Sequence, residues 1–180
     1  MAVIRVSGDL GSGKTTLCDW LSLVIGYENH YTGNVMRQLA RERGMIIDDF
    51  FKKLEEEPEL EKEIDRKQEE MMLQNDNIIV QGRMAPFLRC GFKAINIYIA
   101  VDAMEGARRM SSRPEYLGKT MEEVARMAEK RVATERERYG NLYGLKDHLD
   151  KSKFDIVLDT TNLRPMAALA ELVVMIAAIL

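Results

Sequence analysis

The sequence of 180 residues contains little cysteine, little histidine and no excess of positive charge, and each shortage excludes a class of protein. Cys18 and Cys90 lie far apart without the spacing of a metal site, and His30 and His148 are isolated. The net charge of −3 argues against nucleic acid as the main partner, because nucleic-acid-binding domains are more often basic. These counts predict one domain in a reducing cytoplasm.

The sequence also lacks an apolar run long enough to cross a membrane. The longest run, 166–180, has 15 residues and includes Glu171, whereas a membrane helix needs about 20 apolar residues. We expect this run to be a buried helix, with a subunit contact as the alternative. We therefore expect no membrane partner, no signal peptide, and a monomer, with a dimer as the second possibility.

Short apolar runs rich in β-branched residues alternate with helical patterns along the chain. They predict buried strands at 2–8, 77–82, 95–101 and 154–160, and a shorter strand near 28–32. Strands that alternate with helices favour a parallel sheet. We predict an α/β fold with a five-stranded parallel sheet and helices on both faces.

The segment between the second and third predicted strands has an almost wholly helical pattern. Helices are expected from about Gly33 to Gly44, over 47–56, and from Pro58 onward, because proline suits the first position of a helix. A segment of this size at this place in the chain is typical of an insertion into the core fold.

A further helix begins at Thr120, which forms a capping box with Glu123. Its spacing predicts a buried stripe made of Val124, Met127, Ala128 and Val132.

A glycine-rich loop lies between the first strand and the helix that follows it. From Gly8 to Thr15 it matches the pattern G-x-x-x-x-G-K-[ST] of phosphate-binding loops. Glycines let backbone N–H groups face phosphates, and the helix N-terminus adds a positive dipole end. Lys14 is expected to reach the β- and γ-phosphates, and the Thr15 hydroxyl to bind Mg²⁺. The residues expected to hold the nucleotide are Gly8, Gly11, Ser12, Gly13, Lys14, Thr15 and Thr16.

The loop predicts nucleotide binding but leaves the reaction open. The sequence has no N-K-x-D motif of a GTPase, and the third strand ends at Gln81 rather than at an acidic residue. The fourth strand is followed by Asp102. We therefore expect metal binding to depend on Thr15, water and the nucleotide itself.

Arginines follow several of the predicted strands. Arg37 and Arg83 come just after the second and third strands, where ligands bind in open α/β sheets. Farther along, Arg109 and Arg113 fall on one helix face, as do Arg131, Glu135 and Arg138. Phosphoryl transfer needs positive charge around the moving group. A merely solvated charged face is the competing interpretation.

Together, these motifs resemble those of the nucleoside monophosphate kinases, and most closely the archaeal-type cytidylate kinases. The similarity spans nearly the whole chain and includes T-G-N-V-M-R at 32–37, I-D-R-K-Q at 64–68, R-M-S-S-R at 109–113 and K-R-V-A-T-E-R-E-R-Y at 130–139. The resemblance implies a P-loop NTPase fold, ATP with Mg²⁺ as donor, and CMP or dCMP as acceptor. It also implies a core at 1–32, 77–108 and 139–180, a monophosphate-binding insertion at about 33–76 and a lid at about 109–138.

The resemblance implies roles for single residues. Those expected to act on the transferring phosphoryl group are Lys14, Arg109, Arg113 and Arg131. Those expected to contact the acceptor are Thr32, Arg37, Arg83, Glu135 and Arg138. Asp65 is our candidate for reading the cytosine edge, because a carboxylate accepts a hydrogen bond from an amino group. An exposed ion pair on the helix is the alternative for Asp65.

The sequence departs from the family pattern at three positions. Gln81 stands where an acidic residue is usual, Gly106 where a further arginine is common, and Met84 where bacterial relatives carry an aspartate. Two alternatives therefore stay open. One is a kinase of another small acceptor, such as AMP, UMP or a shikimate-like compound. The other is a nucleotide-binding regulatory protein without phosphoryl transfer.

Overall fold

The computed structural model describes residues 2–180, apart from the side chains of Asp48, Phe51, Lys52 and Glu55. Residue 1 of the predicted core lies outside this range. Five strands form one sheet in the order β2-β3-β1-β4-β5, and every pairing is parallel, as predicted. The strands are β1 (Val3–Gly8), β2 (Glu28–Tyr31), β3 (Ile78–Gln81), β4 (Ala94–Ala100) and β5 (Ile156–Asp159).

Seven α-helices connect and cover the strands in the described part of the chain. They are α1 (Lys14–Ile25), α2 (Thr32–Glu42), α3 (Ile47–Glu56), α4 (Pro58–Gln74), α5 (Ala103–Met110), α6 (Met121–Tyr143) and α7 (Pro165–Ala177). The predicted helices over 33–44, 47–56 and from Pro58 are confirmed.

The central strands β1 and β3 are buried on both faces of the sheet, since successive side chains of a strand point to opposite faces and all of theirs are buried. Ile4 and Val6 of β1 pack with α1 and α7 in one apolar cluster. On the other face, Val3 packs with Met72 of α4 and Tyr139 of α6. Because all five strands are parallel, their carboxyl ends lie at one edge of the sheet, where ligands bind in this class of fold.

The helices α2 to α4 lie between β2 and β3 and have an apolar cluster of their own, which includes Leu39, Phe50 and Ile64. A separate cluster is what a segment needs to hold its shape beside the sheet.

The capping box at the start of α6 is present, with Thr120 N donating to Glu123 Oε2 at 2.7 Å and Glu123 N to Thr120 Oγ1 at 3.2 Å. The predicted stripe is wrong at Met127, which is 42% exposed. Val124 is buried against the short helix α5, whose eight residues cover only one side of α6 and leave Met127 uncovered.

The C-terminal helix α7 is buried on one face only. Leu169 and Leu172 pack into the sheet cluster, whereas Val174 is 69% exposed. The prediction of a buried helix is therefore confirmed for one face of α7 and wrong for the opposite face. Within residues 2–180, no helix is both long and apolar enough to cross a membrane.

Candidate active site

The glycine-rich loop joins the end of β1 to the start of α1, with positive φ angles at Gly8, Gly11 and Gly13. A Cβ atom at Gly11 would lie 2.3 Å from the carbonyl oxygen of Gly106 in α5. A Cβ atom at Gly106 would in turn lie 2.7 Å from the carbonyl oxygen of Leu10. The loop and α5 are therefore in backbone contact. This contact explains the glycine at 106, because an arginine there would push α5 off the loop.

Asp9 fixes the shape of the loop, a role that sequence analysis missed. Its Oδ1 accepts a hydrogen bond from the Tyr98 hydroxyl at 2.5 Å, and its Oδ2 accepts one from the backbone N–H of Val101 at 3.0 Å. Tyr98 lies in β4, beside β1 in the sheet, and Val101 directly follows β4. The loop is thus anchored to the sheet independently of any ligand.

Lys14 lies folded against the loop that carries it. Its Nζ donates to the carbonyl oxygens of Gly8 at 2.9 Å and of Asp9 at 2.7 Å. Burial, followed by the nearby Arg83 charge, lowers the pKa of Lys14 to about 7. The hydroxyls of Thr15 and Thr16 lie on exposed residues in the first turn of α1.

A cavity of about 570 Å³ lies beside the loop. Its lining brings together Gly11, Ser12, Gly13 and Thr16 of the loop with Arg109 and Arg113 and with the turn over 160–165. Arg109 is held in place by Glu105 at 2.7 Å and by the Thr160 carbonyl oxygen at 2.6 Å. Two predicted lid arginines therefore face the predicted triphosphate site.

Arg83 lies on the other side of Lys14. Its Nη1 donates to the carbonyl oxygen of Gly8, which also accepts from Lys14. Its Nε is 2.9 Å from Glu135 Oε2 of α6. The two cations therefore meet at one backbone oxygen.

Glu135 is the centre of a buried ionic cluster. Besides Arg83, it contacts Arg131 at 3.0 Å, and His148 Nε2 lies 3.6 Å away. Burial would raise the pKa of Glu135, but His148, Arg83 and Arg131 outweigh it and lower the pKa to about 2. Glu135 is therefore a stable anion that already neutralises two of the predicted phosphate-binding arginines.

The two other predicted acceptor arginines are also engaged. Arg138 Nε lies 2.9 Å from Oε2 of Glu61, a buried residue of α4 that sequence analysis did not identify. Arg37 is exposed on α2 and its Nη2 donates to Asn34 Oδ1 at 2.5 Å, a contact within its own helix. Arg83 contacts the loop, whereas Arg37 and Arg138 make these contacts with residues of α2 and α4.

Asp65 is buried, so the alternative of an exposed ion pair is wrong. It lines a second cavity of about 570 Å³ with Met84 and Tyr143, and the Tyr143 hydroxyl donates to Asp65 Oδ2 at 2.6 Å. Gln68 connects it to Thr32, whose hydroxyl lies 2.9 Å from Gln68 Oε1. Asp65 and Thr32 therefore belong to one polar network beside this cavity.

The donor set for a divalent cation is consistent with Mg²⁺. Mg²⁺ in phosphoryl-transfer sites takes one or two protein ligands and completes its shell with phosphate oxygens and water. The Thr15 hydroxyl, next to Lys14 in the sequence, is exposed and is an oxygen of the type that Mg²⁺ binds. The Asp102 side chain caps α5, with its Oδ1 accepting from Met104 N at 2.9 Å. Gln81 donates to Asn29 Oδ1 at 2.8 Å.

Several residues of the site were given no role on the basis of the sequence. Glu61, Gln68, Tyr143 and Thr160 act through contacts between segments that lie far apart in the chain. His148 is fully buried, with its ring against Tyr139 and its Nε2 3.6 Å from Glu135.

A family model described as an AAA domain matches residues 4–138. The cytidylate kinase of Thermococcus kodakarensis is 39% identical over 165 residues, covering 91% of this chain and 81% of that protein. The cytidylate kinase of Pyrococcus furiosus is 38% identical over 165 residues, covering 91% and 82%. That of Methanopyrus kandleri is 34% identical over 169 residues, covering 89% and 85%.

Solved structures share the fold at low sequence identity. The shikimate kinase of Aquifex aeolicus superimposes with a TM-score of 0.62 at 18% identity, covering 98% of this chain and 96% of that one. An uncharacterized protein from Eubacterium ventriosum gives a TM-score of 0.70 at 15% identity and covers 99% of both chains. These likenesses concern the fold alone and confirm the predicted P-loop architecture.

Proposed function

The chain belongs to the cytidylate kinases, a branch of the nucleoside monophosphate kinases, and we propose that it transfers the γ-phosphoryl group of ATP to CMP or dCMP. In this reaction, an oxygen of the acceptor phosphate attacks the γ-phosphorus. The bond from that phosphorus to the β-phosphate oxygen breaks, giving ADP and CDP or dCDP.

One observation carries the proposal beyond family membership. Lys14 of the loop and Arg83 at the end of β3 both donate to the carbonyl oxygen of Gly8. A phosphate at the loop and a phosphate held by Arg83 would therefore be neighbours. Such an arrangement suits transfer between two bound phosphates, since catalysis here consists mainly of positioning and charge neutralisation.

On the donor side, the backbone N–H groups of the loop and the N-terminus of α1 hold the ATP phosphates. Lys14 leaves the loop carbonyls to neutralise the transferring group. Arg109 and Arg113 face the same cavity and add positive charge as it develops. The Thr15 hydroxyl would hold Mg²⁺, which would supply further positive charge to the phosphates.

On the acceptor side, Arg37 and Arg83 hold the phosphate of CMP. The guanidinium fork binds phosphate oxygens bidentately, so two arginines can fix the acceptor in line with the γ-phosphorus. Arg138 supports this site. Arg131 adds positive charge near the transferring group, and Glu135 holds both Arg83 and Arg131. Thr32 and Asp65 face the base, with Asp65 accepting a hydrogen bond from the cytosine amino group.

Closure of the site is the function we assign to the insertion at about 33–76 and the lid at about 109–138. The lid lines the cavity beside the loop with Arg109 and Arg113, and the insertion lines the second cavity with Asp65 and other residues of α4. Their approach would exclude water from the transferring group.

The setting we propose is a cytoplasmic monomer that acts on free nucleotides and not on nucleic acid. Both cysteines, Cys18 and Cys90, are free thiols in the structure, which suits a reducing compartment.

The test is a coupled assay with ATP, Mg²⁺ and a panel of acceptors. CMP and dCMP should be phosphorylated with the highest kcat/KM, and UMP, AMP and shikimate should follow far behind. ATP binding without transfer to any acceptor would contradict the proposal and favour the regulatory alternative. Preference for AMP or shikimate would indicate a different kinase.

A further inference from the structure

The carboxylate proposed to read the base is held from another helix. Asp65 lies on α4, and the hydroxyl that donates to its Oδ2 at 2.6 Å belongs to Tyr143, the last residue of α6. Asp65 is 6% exposed and Tyr143 is 37% exposed. Both line the same cavity, so the hydrogen bond lies at the cavity wall.

The other oxygen of Asp65 lies beside the Gln68 amide, whose Nε2 is 3.3 Å from Asp65 Oδ1. On its far side, the amide oxygen of Gln68 is 2.9 Å from the Thr32 hydroxyl, and that hydroxyl is also 2.8 Å from the carbonyl oxygen of Gln81. The single hydroxyl proton of Thr32 serves one of these two oxygens, so Thr32 does not fix which end of the Gln68 amide faces Asp65. Tyr143 is therefore the donor that treats Asp65 as a hydrogen-bond acceptor.

The two pyrimidines differ where this acceptor would act. Cytosine carries an amino group at C4, which donates, whereas uracil carries a carbonyl there, which accepts. An ionised carboxylate pairs with the first and repels the second, while a protonated carboxyl group can donate to the second. The protonation state and orientation of Asp65 therefore decide which base fits.

We propose that Tyr143 is a positioning residue for base selection, because its hydroxyl keeps Asp65 a hydrogen-bond acceptor toward the acceptor base. This inference rests on the proposed function, since it assumes that the base of CMP occupies the cavity shared by Asp65 and Tyr143.

The groups around Asp65 shift its pKa in both directions, and the Tyr143 hydrogen bond is one of those that lower it. Burial raises the pKa of Asp65 to about 7, and the carboxylates of Glu61 and Glu69 add to this rise. The Tyr143 hydrogen bond and, more weakly, the Arg138 charge lower the pKa. Lys62 and Arg66 also line the cavity. Removing the Tyr143 hydroxyl removes the first opposing contact, so Asp65 would be protonated over a wider pH range.

The experiment compares kcat/KM for CMP and for UMP at saturating ATP in wild type, Tyr143→Phe, Asp65→Asn and the double variant. Tyr143→Phe should lower the CMP-to-UMP ratio about 10-fold, the usual weight of one hydrogen bond to a charged group. The KM for ATP should stay unchanged. The pH at which the ratio falls should lie higher than in wild type. The double variant should match Asp65→Asn alone, because Tyr143 acts through Asp65.

Tyr27→Phe is the matched control, since it removes a tyrosine hydroxyl beside the α1 and α7 cluster, away from the cavity. It should leave the ratio unchanged. A wild-type ratio in Tyr143→Phe, whether or not Asp65→Asn alters it, would overturn the inference while the proposed function stands. A wild-type protein that phosphorylates neither CMP nor dCMP would instead overturn the proposed function.

Discussion

The two halves of the site are built in different ways. The donor half consists mostly of backbone, with Gly11 packed directly on α5 and Asp9 bonded to Tyr98 and Val101 at the end of β4. The acceptor half consists mostly of long side chains. Arg83 is bound to Glu135 and Arg138 to Glu61 before any ligand arrives.

This difference predicts different costs of binding. A preformed backbone cradle loses little conformational freedom when phosphate binds, whereas arginines in ion pairs must change partners. The internal carboxylates keep these cations paired while the site is free, since an unpaired buried charge is costly. Donor affinity should therefore be insensitive to changes in α4 and α6, and acceptor affinity should respond to them.

The largest expected effect comes from Lys14→Ala on the donor side. The change removes the charge aimed at the transferring group, so kcat should fall by about 10²–10³-fold. Initial rates at saturating ATP and CMP measure this, with thermal unfolding as the check on folding. A loss below about 10-fold would mean that Lys14 does not neutralise the transferring group.

Arg37→Ala tests the acceptor half. Arg37 is exposed and its hydrogen bond to Asn34 lies within its own helix, so its loss should leave the fold intact. We expect the KM for CMP to rise about 10–10²-fold, since a charged hydrogen bond to phosphate is lost. Arg37→Lys should be intermediate. If only the KM for ATP changed, Arg37 would belong to the donor half.

The two halves also differ in how far the sequence could predict them. The residues from Gly8 to Thr16 are contiguous with the strand before them and the helix after them. The sequence alone therefore predicted both the phosphate-binding motif and its place between a strand and a helix. The five strands were likewise predictable from their apolar runs.

The acceptor half depends on contacts between distant segments. The pairing of Arg138 with Glu61 and of Tyr143 with Asp65 joins α6 to α4 across more than 70 residues of chain. No local pattern encodes such pairs. The exposure of Met127 has the same origin, since only the position of α5 decides which side of α6 is covered.

A smaller effect is expected on stability when Asp65 is neutralised. The folded-state pKa of Asp65 is raised to about 7 from an ordinary value of 3.8. A raised pKa means that stability is fully present below the ordinary pKa and is lost as the pH rises through about 7. Asp65→Asn should therefore stabilise the protein at pH 8 by about 1–2 kcal/mol, because water in the cavity offsets part of the full shift.

This advantage should shrink toward zero near pH 4, where the wild-type carboxyl is protonated. Urea unfolding of both proteins from pH 4 to 8 measures it. Asn75→Ser, directly after α4, is the control, because it removes no titratable group and should change stability equally at every pH. A pH-independent difference for Asp65→Asn would mean that Asp65 titrates normally.

The smallest effect concerns protons taken up with ATP. The pKa of Lys14 is about 7 in the free loop, where burial and Arg83 lower it. Bound phosphates favour the charged form, so ATP binding near pH 8 should take up close to one proton. Calorimetry in buffers of different ionisation enthalpy counts it. Lys14→Ala should abolish the uptake, and uptake that persists would assign the proton to another group.

A crystal structure with CMP bound tests the comparison between the two halves most directly. We predict that Arg37 and Arg83 lie within about 3 Å of the CMP phosphate and Asp65 within about 3 Å of the cytosine amino group. The loop from Gly8 to Thr16 should move by less than about 1 Å. A CMP phosphate bound in the loop, or arginines that keep their present partners while CMP lies elsewhere, would contradict the account.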